Sequence, residues 1–262
     1  VREKTYIWSL PTRVFHWLMG LGFAVAYLTG DFEKSHNIHY TFGALAGSLV
    51  FFRILFGIFG PRYSNFKDFP LGLAELTNFI KNYFSKSTAY PGHNPIASVV
   101  MLLILATVFL TSISGFILYV TESKMYSLGF NKEFLEDFHE SLANFSLFLV
   151  FIHLIGVIIY QIFHKESGTF QSIFTGYKNI EGEDVRLTGF HKSFILVWFL
   201  CSFLLSLLAY SLPPVEAEHA FEKNGEVEAI EEHEEGGQED DDHGYENDHH
   251  KDDDEHEEHD ND

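Results

Sequence analysis

The stretch FHESLANFSLFLVFIHLIGVIIYQIF, Phe138 to Phe163, runs 26 residues with Glu140 as its one charged side chain. At about 1.5 Å of rise per residue, a helix of this length outreaches the roughly 30 Å of hydrocarbon in a bilayer. Two histidines lie inside it, His139 and His153, fourteen residues apart. Fourteen steps of about 100° fall only about 40° short of four turns, so both imidazoles lie on one face, about 21 Å apart along the axis. Titratable side chains are costly in hydrocarbon and mark function by default. One helix therefore offers two imidazoles at two membrane depths.

Outward from this helix, four more apolar runs read as spans: 14–30, 39–59, 96–120 and 193–212. Asn94-Pro95 before the third reads as an N-cap followed by proline at the first helical position. Five helices of this kind are too many for so small a body to bury in water. The expected fold is all-α and integral to the membrane, with five transmembrane helices. The first four form an antiparallel bundle.

The remaining histidines match the two depths. His39 opens the second run at the level of His139, and His16 lies as far below Gly30 as His153 lies below His139. The expected pairs are His39 with His139 and His16 with His153, each clamping a haem iron from both sides. Bis-imidazole ligation saturates the iron and suits electron transfer rather than oxygen activation. A lone intramembrane histidine is more often a helix-packing hydrogen bonder or a proton relay; the two matched pairs favour ligation. His36 competes with His39 from one turn earlier but lies outside the apolar run. His93, His164 and His191 read as loop or interface residues at the surface.

Further residues fit the same bundle. Arg53 follows His39 by fourteen residues, which puts a cation on that face at the depth of the His16 pair. Arg13 precedes His16 by one turn. Both are candidates for pairing with haem propionates, because guanidinium matches carboxylate geometry; for Arg13 a membrane-surface anchor is an equal reading. Gly43 and Gly47 follow His39 at one-turn intervals and leave a strip on which a flat macrocycle can lie. Close helix packing explains those glycines as well.

Charge divides the chain. Residues 213–262 carry 23 Asp and Glu against two lysines, a net −21, and leave the body at +1. With seven histidines and no hydrophobic periodicity, this tail is expected to be disordered. Residues 1–13, 60–95 and 164–192 hold 11 Lys and Arg, against three in 31–38 and 121–137. By the positive-inside rule the N-terminus is cytoplasmic and the acidic tail periplasmic. Cys201 stands alone, so neither a disulfide framework nor Cys-x-x-Cys-His attachment of a c-type haem is available. Nothing in the charge pattern points to nucleic acid.

Several motifs resemble the bacterial cytochrome b561 and nickel-iron hydrogenase b-type cytochrome family. They are Leu10-Pro-Thr-Arg-Val-Phe-His-Trp17, His39-x-x-x-Gly43 with Arg53, Gly60-Pro-Arg62, Gly92-His-Asn-Pro95, and His139-Glu-Ser-Leu-Ala-Asn144 running on to His153. The resemblance implies two b haems held by the first four helices, with electrons exchanged between the quinone pool of an inner membrane and a periplasmic partner. That partner would be a c-type cytochrome or a hydrogenase-like enzyme. The acidic, histidine-rich tail departs from the family pattern. Two other functions remain open on the sequence: a stand-alone quinone-linked reductase, and a metal transporter with a metal-binding tail.

Overall fold

A computed structural model describes residues 4–32, 35–83, 90–123, 129 and 131–213. The acidic tail from residue 214 onward lies outside the described residues, and so does the expectation of disorder there.

Helices cover each of the five expected apolar runs, starting one to six residues earlier. They are α1 (Leu10–Thr29), α2 (His36–Phe59), α4 (Pro95–Glu122), α5 (Lys132–Phe163) and α7 (Gly189–Tyr210). Two short helices, α3 (Leu73–Lys81) and α6 (Thr169–Thr175), lie in the connecting segments. Local chemistry sets the starts. Asn94 accepts from the Ala97 N–H at 2.8 Å with Pro95 at the first helical position. Asn131 accepts from the Phe134 N–H at 3.1 Å, which starts α5 six residues earlier than its apolar run. Thr188 and His191 form a reciprocal capping box at the head of α7.

Four helices, α2, α4, α5 and α7, are long and apolar enough to cross a membrane. α1 is less apolar because Arg13 and His16 fall within it. α2 is the hub, packed against α1, α4 and α7, while α5 leans on α4. The core contains Leu49, Val50 and Phe56 of α2, Trp198 of α7, Phe15 of α1 and Val108 of α4. Outward faces are the reverse of a soluble protein's. Phe116, Phe148, Ile162, Leu196 and Phe203 are all exposed, as lipid contact requires.

A two-residue antiparallel ladder joins β1 (Thr5–Tyr6) to β2 (Tyr177–Lys178), pairing Thr5 with Lys178 and Tyr6 with Tyr177. Trp8 reinforces it, its indole N–H donating to Ser172 Oγ at 3.0 Å. The ladder and α6 draw the N-terminal segment and the chain after α5 into one cap, with its own small core of Ile7, Trp8, Tyr63 and Val185.

Candidate functional site: two imidazole pairs

His39 stands on the first turn of α2 and His139 two turns into α5, and their ring centres lie 6.1 Å apart at 78°. His16 of α1 and His153 of α5 lie 6.4 Å apart at 54°. The expected partners are therefore brought close together, α5 supplying one ring of each pair and α1 or α2 the other. A metal with imidazole bonds of about 2.1 Å on each side, plus about 1.1 Å from each nitrogen to its ring centre, spans about 6.4 Å. Both pairs match that spacing.

The two pairs differ in what holds the rings. His39 donates its Nδ1–H to the Ala26 carbonyl at 2.8 Å. His139 donates its Nδ1–H to the Thr111 carbonyl at 3.0 Å, with the Ser114 hydroxyl at 3.1 Å. Engaging Nδ1 in this way leaves Nε2 as the free lone pair, which is how metal-binding histidines are usually oriented. The His16 Nδ1 is buried without a hydrogen-bond partner. The residues that could face a macrocycle are small. A Cβ at Gly20 or Gly43 would meet nothing within 4 Å, whereas one at Gly115 would come within 2.8 Å of the His139 ring.

Some expectations need correction. Gly47 is not part of an open strip, because a Cβ there would collide with Ser112 of α4 at 2.5 Å. Its role is close helix packing, and Gly43 alone keeps the open face. His36 stacks on Tyr40 and makes no ring pair with His139. Of the three histidines read as surface residues, one is buried and two are half-buried. His164 is buried and stacks on Tyr160 with ring centres 4.3 Å apart. His191 is half-buried, and its Nε2–H donates to the Phe59 carbonyl at 3.2 Å. His93 sits between Trp8 and Phe69, each 4.8 Å away.

Of the two candidate arginines, Arg53 is 3% exposed with its Nη1 unpartnered and its guanidinium 5.3 Å from the centre of the Phe66 ring. Arg13 donates through Nη1 to the Phe174 carbonyl at the end of α6, while its Nε is buried without a partner. Sequence reasoning missed Gly115 and Lys178. Lys178 is 3% exposed, and its ammonium donates to the Gly92 carbonyl at 2.8 Å and the Tyr90 carbonyl at 3.3 Å. Among the described residues no three His, Cys, Asp or Glu side chains converge as a metal cluster. The histidines meet two by two.

This is the architecture of a multi-pass helical membrane protein with imidazoles paired between its helices. A family model described as prokaryotic cytochrome b561 matches residues 7–176, from β1 to the end of α6. The chain belongs to the prokaryotic cytochrome b561 family, and is accordingly a haem-binding, electron-transferring b-type cytochrome of a prokaryotic inner membrane. No curated protein and no solved structure matches it.

Proposed function

We propose that the protein binds two b haems and carries electrons between the membrane quinone pool and a periplasmic redox protein, a c-type cytochrome or a hydrogenase-like enzyme. The observation that carries this reading is the pair of ring separations, 6.1 and 6.4 Å, each matching an iron held between two imidazoles. His39 and His139 hold the outer haem; His16 and His153 hold the inner one. Each bound haem supplies a one-electron couple whose iron has no open position.

The chain's own residues supply position and charge. The Ala26 and Thr111 carbonyls fix the tautomer of the outer ligands and raise their basicity as iron donors. Arg53 contributes positive charge on the inner side, within the hydrophobic body, where a buried cation needs an anionic partner. Arg13 offers its unpartnered Nε there as well, braced by Phe174. The Lys/Arg asymmetry supports a cytoplasmic N-terminus and a periplasmic C-terminus, which puts quinone exchange on the inner side and partner docking on the outer side. The tail's −21 supports a basic partner, because flexible like charge steers cationic proteins and speeds association by roughly ten- to a thousandfold at low salt.

Pyridine haemochrome assay of purified variants tests the reading. The intact protein should hold two haems per chain; His153→Ala should keep the outer one and His139→Ala the inner one. Two haems in either variant would sink the pairing. A periplasm-only reporter fused after Leu212 should be active, and silence there would reverse the orientation. Deleting the chain after Pro214 should slow reduction of the partner at low salt only, with haem content unchanged.

A further inference from the structure

Three basic side chains, Arg53 on α2 and His93 and Lys178 at the cap, form no salt bridge among the described residues. Lys178 and Arg53 are each 3% exposed, and His93 lies between Trp8 and Phe69. The Lys178 ammonium sits 5.4 Å from the centre of the Trp8 ring, while Phe66, against which Arg53 rests, lies 5.4 Å from Phe69. A continuous aromatic belt thus links the three groups. Three carboxylates of the neighbouring loops are engaged elsewhere. Glu183 pairs with Arg62, Asp184 accepts from the Tyr6 N–H, and Asp68 accepts from the Tyr63 N–H.

Donor capacity is left over. An ammonium has three N–H groups, and two of those on Lys178 reach the Gly92 and Tyr90 carbonyls. The Arg53 Nη1 and the His93 Nδ1 are buried with no partner. Buried charges are ordinarily paired, and buried donors ordinarily bonded.

We propose that Arg53, His93 and Lys178 form a buried oxyanion-binding site beside the inner histidine pair. Two sources share that chemistry: a propionate of the inner haem, and an ionised oxygen of bound quinol. The proposal rests on the reading that His16 and His153 hold a haem. Electrostatics agrees with the geometry. Burial alone pushes the Lys178 ammonium down to about 7. His93 is pushed down to about 3, first by burial and then by the positive charges of Lys178 and Arg53. An oxyanion among them would favour the charged form of both.

The test uses full-length Lys178→Met and Lys178→Arg proteins that hold two haems per chain, a condition checked first and which by itself tests the haem reading. Redox titration is run after quinone extraction, and binding of a short-chain quinone analogue is measured separately. A lower inner-haem potential in quinone-free Lys178→Met, restored by Lys178→Arg, supports the site with propionate as occupant. An unchanged potential with at least tenfold weaker analogue binding, again restored by arginine, supports the site with quinol as occupant. Unchanged potential and unchanged binding overturn it. If Lys178→Met loses both haems through misfolding, His93→Phe, which keeps the ring stack with Trp8 and Phe69, is put through the same two measurements with the same criteria.

Discussion

At the His39–His139 pair, two rings of a proposed ligand set are locked by backbone carbonyls of α1 and α4. At the His16–His153 pair the His16 Nδ1 is unpartnered, and the proposed source of positive charge lies far away in sequence, in Arg53 on α2 and Lys178 in β2. The first pair is set by short hydrogen bonds within the bundle. At the second, the proposed contribution is the charge of Arg53 and Lys178. Hydrogen bonding to Nδ1 makes imidazole a stronger donor to an oxidised metal, whereas nearby cations favour the reduced state. Haems held at the two pairs as proposed should therefore differ in potential, with the inner one higher on these two terms.

The largest effect should come from Gly115→Val. A side chain there invades the His139 ring, so the variant should retain about one haem per chain with the inner haem's spectrum. Retention of both haems would show that the α4–α5 contact yields, and that the outer pair is not rigidly set. Next comes Arg53→Leu, which should lower the inner haem's potential or occupancy and leave the outer one unchanged by redox titration. Equal change in both would dissolve the distinction between the pairs. Ser114→Ala should be milder, because the Thr111 carbonyl still holds the His139 Nδ1–H. Outer-haem affinity should fall by less than the roughly 10- to 100-fold typical of removing a ligand's supporting hydrogen bond. The smallest effect belongs to Tyr27→Phe. Its hydroxyl donates to Asn144 Oδ1 at 2.6 Å, tying α1 to α5 between the two pairs. Thermal unfolding should show a loss of about 1 kcal/mol, with both potentials unmoved.

The helices and both histidine pairs were legible because each rests on a periodicity internal to one segment: apolar length, and a fourteen-residue spacing that returns to the same helix face. Matching depths then required only helix rise. The cap was not legible for the opposite reason. Thr5 and Lys178 are 173 residues apart, and neither flanking segment carries an alternating pattern long enough to announce a strand. Lys178 lies in a polar loop, where a lysine reads as solvated until tertiary structure buries it. His93 was misplaced on the same logic. Gly47 and Gly115 show a finer limit: a glycine on a helix announces proximity without saying to what, and only the facing residue distinguishes Ser112 from the His139 ring.

The strand pair between residues 5–6 and 177–178 also imposes a schedule on synthesis. As the chain leaves the ribosome, both members of the outer pair exist once His139 is made, and the inner pair once His153 is made. Strand β1, made before any of the helices described, has to wait for the partner that arrives with Lys178. Loop-closure entropy grows only with the logarithm of length, so the wait adds little to the final free energy. It falls on the rate instead, because long-range contacts form late. The cap can close only after α1 to α5 have been made, with α7 still to follow.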